Sequence, residues 1–135
     1  MNDVIKNGIA EAIRRGFGDE YSIYADNVEQ GMKKPCFFIL NKKCVFERLL
    51  GKRAAVTYRY GIEVYEQDRE KLEKMLVKLF GCMDMISTAE GKMFGRNMSF
   101  SIEKGKGNFE VDFRCVVMFE EEKSEYMEVL EREEV

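Results

Sequence analysis

The chain has no histidine, a single proline and no pair of cysteines in C-x-x-C spacing. Histidine is the commonest general acid–base and the usual partner of a nucleophilic serine or cysteine. Without it, carboxylate chemistry remains possible in principle, though it needs a convergent pocket. A zinc site would need thiolates from the scattered Cys36, Cys44, Cys82 and Cys115, an arrangement the spacing argues against. Small buried thiols are the expectation, because free cysteine packs as a hydrophobe. No apolar run approaches the roughly 20 residues that span a bilayer. The start, Met1-Asn2-Asp3-Val4-Ile5-Lys6, lacks the basic and long apolar regions of a signal peptide. Synthesis and folding in a reducing cytoplasm are therefore expected, where disulfides are disfavoured.

What is present is an ordinary globular composition, 45% hydrophobic and 35% charged over 135 residues, which suits one core. Val4, Ile5, Ile9, Ala12, Ile13 and Phe17 recur at three- and four-residue spacing and predict a helix, capped by Asp3 or Asn2 and closed by Gly16 and Gly18. A short strand is expected over Tyr21–Ala25, then a polar loop over Asp26–Lys34. The lone proline, Pro35, fixes the start of an aromatic strand, Cys36-Phe37-Phe38-Ile39-Leu40, whose alternation predicts cover on both faces. Asn41-Lys42-Lys43 reads as an interruption and Gly51-Lys52-Arg53 as a bend. Val56, Tyr58, Tyr60, Ile62 and Val64 then alternate with polar residues, so one face meets a core. Asp68 predicts the cap of a second helix, with Leu72, Met75, Leu76, Leu79 and Phe80 as its apolar stripe and Gly81 as its end. A long hairpin follows: Phe94–Glu103, a turn at Lys104–Asn108 with Gly105 and Gly107 free to take positive φ, and a return strand bearing Phe109, Val111, Phe113, Cys115, Val117 and Phe119 on one face.

The order of these elements predicts an α+β fold, a single mostly antiparallel sheet with two helices packed on one face. Residues 1–119 form the α+β domain and 120–135 an acidic C-terminal tail. That tail holds eight acidic and two basic residues, with Tyr126, Met127, Val129 and Leu130 at spacings a short helix can use. It reads either as a solvated tail or as an arm that docks on a basic neighbouring surface.

The charged and glycine-rich motifs favour surface over catalysis. Gly91–Gly95 and Gly105–Gly107 border strands, whereas phosphate loops need a strand-to-helix junction, so both read as turns. Glu63, Glu110 and Asp112 fall on outward strand faces as paired acids or, more simply, as solvated residues. They share that face with Thr57, Arg59 and Arg114, and with the less polar Tyr65, Val116 and Met118. Lys33, Lys34, Lys42, Lys43, Arg48, Lys52 and Arg53 crowd one stretch with Phe37, Phe38 and Phe46. Basic residues among aromatics can form a nucleic-acid groove. The net charge of −3 and the lack of a recognition motif argue against direct nucleic-acid binding and for a protein–protein surface. The methionines read as adaptable core filler. No catalytic, cofactor-binding or metal-ligating residue is assigned.

The succession Asn2-Asp3-Val4-Ile5-Lys6-Asn7-Gly8-Ile9, Tyr21-Ser22-Ile23-Tyr24, Gln30-Gly31-Met32-Lys33-Lys34-Pro35-Cys36-Phe37-Phe38, Leu50-Gly51-Lys52-Arg53 and Tyr58-Arg59-Tyr60-Gly61-Ile62-Glu63-Val64-Tyr65 resembles the small tail terminator proteins of long-tailed bacteriophages and prophages of Gram-positive hosts. The resemblance runs over nearly the whole chain, and is weakest over Cys82–Lys92 and the acidic tail. It implies a structural, non-enzymatic protein that caps the tail tube and presents the tail-side surface for head–tail joining. The implied partners are other copies of itself, in a six-fold ring when assembled and as a monomer in solution, the tail tube protein and a head-completion or neck protein, with no membrane. The implied location is the host cytoplasm during assembly and then the neck end of the virion tail. Opposite charges within one chain suit a ring, whose contacts join unlike patches, so Lys42, Lys43, Arg48, Lys52, Arg53, Glu120, Glu121 and Glu122 are the interface candidates. Two alternatives accompany this reading: another phage morphogenesis part, such as a head-completion or tail tube subunit, and a host α+β ligand-binding or regulatory domain.

Overall fold

Ile5, Ile9 and Ile13 are fully buried along one stripe of the first helix, α1 (Asn2–Phe17), and burying each such side chain stabilises the fold by about 1.5–3 kcal/mol. In the computed structural model, which describes residues 2–25 and 35–118, α1 ends where Gly18 takes φ +90° and donates its N–H to the Arg14 carbonyl. The start of α1 is tied to the sheet. The Tyr60 hydroxyl bonds Asn2, and Asn41 Nδ2 donates to Asn2 Oδ1 at 2.7 Å.

Strands β1 (Ser22–Tyr24), β2 (Cys36–Arg48), β3 (Arg53–Tyr65), β4 (Met85–Thr88), β5 (Gly91–Glu103) and β6 (Lys106–Met118), with α2 (Arg69–Met83), complete the described fold. The sheet order is β1-β2-β3-β6-β5-β4. Only the β1–β2 pair is parallel. Both helices pack on one face, against Phe37, Ile39, Tyr60, Ile62, Val64, Phe109, Val111 and Phe113. This is the α+β architecture expected, a mixed, mostly antiparallel and curled sheet. Asp68 caps α2 as expected, its Oδ1 accepting the Glu70 N–H at 3.1 Å.

Several local expectations are corrected. Asn41-Lys42-Lys43 does not interrupt the strand. It is a β-bulge inside one continuous β2, and the extra residue lets the Lys42 side chain lie over Gly61. Gly81 does not end α2, which runs on to Met83; Gly81 is exposed, so the missing side chain leaves no gap in the core. The stretch after α2 holds β4, too short to show a period, and β5 begins at Gly91 rather than Phe94. The β5–β6 turn needs positive φ only at Gly105. Gly107 lies within β6, where a Cβ would come within 2.6 Å of Leu76 Cδ1, so its role is close packing. Of the cysteines, Cys36 is buried as expected, Cys82 and Cys115 are half-buried, and Cys44 is exposed. The expected loop at 26–34, with Lys33 and Lys34, Phe119 of the return strand and the acidic tail lie outside the described residues.

Candidate assembly surface

Cross-strand register defines the face of the sheet away from the helices. Residues facing each other across β2, β3 and β6 form rows: Lys43, Arg59, Asp112; then Val45, Thr57, Arg114; then Glu47, Ala55, Val116; then Arg53 with Met118. Arg59 and Asp112 of the first row form an ion network with Glu110. Arg59 donates from Nε to Asp112 Oδ1 at 2.8 Å, from a terminal nitrogen to Oδ2 at 3.0 Å, and from the other to Glu110 Oε1 at 2.7 Å. Asn97 Nδ2 completes Asp112 at 3.0 Å. Asn97 reaches it because it sits at φ +52° in the β5 bulge between Arg96 and Ser99, a conformation asparagine tolerates better than most residues. The Asp112 hydrogen bonds hold the Arg59 guanidinium even more firmly protonated than usual, with burial opposing them in part. Asp112 is only 7% exposed, which corrects its reading as a solvated strand residue: pairing with Arg59 is what allows its burial.

Farther toward the β1 side of the turn between β5 and β6, Glu63 accepts the Tyr65 hydroxyl at 2.8 Å and lies 3.3 Å from Lys106 Nζ. Burial first, then that hydrogen bond, pushes the Tyr65 phenol up to about 12. All three carboxylates singled out from the sequence are thus committed to internal partners.

The lower rows are different. Here the β2–β3 hairpin and the end of β6 carry apolar side chains open to solvent: Val45 44%, Leu50 83%, Val116 47% and Met118 66% exposed. Val45, Val116 and Met118 share the face away from the helices with Lys43, Arg53 and Arg114, and Leu50 stands in the adjoining turn. Isolated exposed apolar residues are ordinary, but a contiguous patch with a polar rim marks an interaction site. None of Val45, Phe46, Val56, Cys115 or Val117 belongs to the core cluster beneath the helices. This end of the sheet is an arm.

The family comparison decides what such an arm belongs to. A family model described as phage tail terminator protein matches residues 4–125. The chain belongs to the phage tail terminator family. No curated protein matches it. Tail terminators are structural, non-enzymatic components of the phage tail; the family role is to cap the tail tube, and it implies contact with that tube. The terminator reading therefore stands over the head-completion, tube-subunit and host-domain alternatives.

The terminator's interface candidates divide by position. Lys42 and Lys43 sit at the β2 bulge, Arg48 ends β2, Lys52 lies in the turn and Arg53 opens β3. All five are thus brought onto one hairpin. Glu120, Glu121 and Glu122 lie outside the described residues. Sequence reasoning noted Val116 and Met118 but missed Val45, Leu50 and Asn97. Nothing local signals Asn97, whereas the two-residue spacing of Val45 from Lys43 in one strand was an available sign that they share a face. Burial pushes the Cys82 and Cys115 thiols up, the opposite of what thiolate chemistry requires. Among the described residues no three acidic or cysteine side chains gather to hold a metal ion, and no helix is long and apolar enough to cross a membrane.

Proposed function

We propose that this terminator closes the tail tube as a ring of six copies, uses the β2–β3 arm as its docking surface, and presents the tail-side surface to which a head-completion or neck protein joins. The single observation that supports the arm is its composition: the exposed Val45, Val116 and Met118 stand at one end of the sheet's outer face with Lys42, Lys43, Arg53 and Arg114, and the exposed Leu50 stands in the adjoining turn. A ring joins unlike patches on successive copies, and an apolar centre within a charged rim supplies both burial and register. Residues 1–119 act as the ring-forming body and 120–135 as a separate acidic segment. Assembly takes place in the host cytoplasm, and the finished ring sits at the neck end of the virion tail.

Charge reversal tests the arm. The full chain with Lys42, Lys43, Lys52 and Arg53 changed to Glu should stay folded by circular dichroism yet fail to form the ring on tail tubes, as read by light scattering and pelleting with the tube. Unaltered oligomer size and tube binding would sink the assignment.

A further inference from the structure

The arm is a three-stranded ribbon, and its two outer strands lose their neighbours part-way along. β1 pairs β2 only at Cys36–Phe38. The β5–β6 ladder stops at Gly95 opposite Phe113. There the Gly95 N–H donates to the Asp84 carbonyl at 3.1 Å, and Gly91–Phe94 pair β4 instead. Among the described residues, then, no strand lies beside β2 beyond Phe38, or beside Arg114–Met118 on the side away from β3. Edge strands are ordinarily blunted by proline, lysine or a bulge. The open part of β5 has a bulge between Arg96 and Ser99, and β2 has lysines at its own bulge. Cys115, Val116, Val117 and Met118 carry none of these devices, and valine suits a strand. The two open edges are also level with each other: Val45 and Glu47 of β2 share rows with Arg114 and Val116 of β6 across β3. Both strands run antiparallel to β3, so they point the same way.

We infer that in the assembled terminator the open edge of β6 at Arg114–Met118 pairs in parallel with β2 of a second copy, beside its Val45 and Glu47, so that one sheet runs on through successive arms. A copy turned about an axis along the strands brings these edges together with no slide, and parallel pairing is what β1 and β2 already use. Charge favours the same neighbour. Glu47 and Arg114 stand on the outer face, and neither has an ion pair among the described residues. Within one copy β3 separates their strands; at the joint they become diagonal neighbours on one face, within reach of long side chains. Val45 and Val116, open to solvent in the single copy, come onto adjacent strands in the same step. The contact joins unlike edges, as a closed ring requires, and closure leaves no arm edge exposed. That the joined copies form a ring of six rests on the function proposed above; that the edges pair does not.

Hydrogen exchange of the unaltered full chain, free and on isolated phage tails, tests the edge. The amides of Cys115–Met118 that point away from β3 should exchange roughly tenfold more slowly on tails, the effect of one net hydrogen bond each. Disulfide trapping then identifies the neighbour. Tails are assembled with full-length Glu47→Cys/Val116→Cys and, for a register shifted by two residues, with Val45→Cys/Val116→Cys. Adjacent strands lie about 4.8 Å apart, within disulfide reach. Oxidation should give covalent multimers of this chain in one of the two pairs and at most a trace in each single-cysteine variant. Unchanged exchange would overturn the inference. So would slowed exchange with no multimers in either pair, which would put another protein's strand on the edge. Multimers that stop at a number other than six would leave the edge pairing in place and contradict the ring of six, so the two readings fail separately.

Discussion

Asp112→Ala is the substitution whose cost the structure defines best. It removes a carboxylate 7% exposed that takes two hydrogen bonds from Arg59 and one from Asn97. Breaking a fully buried ion pair costs about 3–5 kcal/mol because the surviving charge is stranded. Two features lower that figure here. The Arg59 side chain is 31% exposed, and it keeps Glu110 at 2.7 Å; water and the second carboxylate therefore take up part of the loss. About 2 kcal/mol is the resulting expectation, which for a chain of this size lowers Tm by about 6–12 °C. The assay is urea unfolding with thermal melting of Asp112→Ala, Arg59→Met and the double variant. The double variant should lose less than the two single losses added, since no charge is left stranded. A single loss below about 0.5 kcal/mol, the level of an ordinary surface substitution, would refute the argument that this network is a buried structural element.

Four further outcomes follow from the same geometry. Gly107→Ala should destabilise by about 1–3 kcal/mol in urea unfolding, because the new methyl meets the buried Leu76 side chain. Asp68→Ala should cost about 0.5–2 kcal/mol through loss of the α2 cap, measured in the same way. Stability should fall as pH rises from about 10: the Tyr65 phenol is pushed up to about 12, so the unfolded chain releases its proton first and gains over the native state between those values. Tyr60 is raised in the same direction, and Tyr65→Phe should flatten the loss in pH-dependent unfolding curves. Under native conditions a thiol reagent should modify Cys44 first, and Cys44→Ser should abolish that fast phase.

The elements with a strong period were legible in the sequence. The isoleucine stripe of α1, the Asp68 cap and the alternation from Val56 to Val64 each state their own structure locally, and two helices beside antiparallel strands then leave few layer arrangements. The exceptions arise where a long-range partner decides. A polar triplet resembles a loop, yet β3 holds Asn41-Lys42-Lys43 in the sheet and absorbs the extra residue as a bulge. Gly81 resembles a stop, but α2 continues because Met83 is fully buried beyond it. Asp112 resembles a solvated strand residue until register places Arg59 opposite.

The candidate surface divided in the same way. Its basic half was legible because Lys42 through Arg53 lie close in sequence. Its apolar half was not, because Val45 comes from β2 while Val116 and Met118 come from β6, and only the intervening β3 brings them onto one face. The family resemblance bridged that gap for function: it reached the terminator assignment from motifs, and the family match covers the same span.

Electron microscopy of phage tails assembled without this protein, and with its Lys42/Lys43/Lys52/Arg53→Glu variant, tests the central claim most directly. Capping through the arm predicts overlong, headless tails in both preparations and tails of uniform length when the unaltered chain is restored. Tails of normal length in its absence would contradict the account.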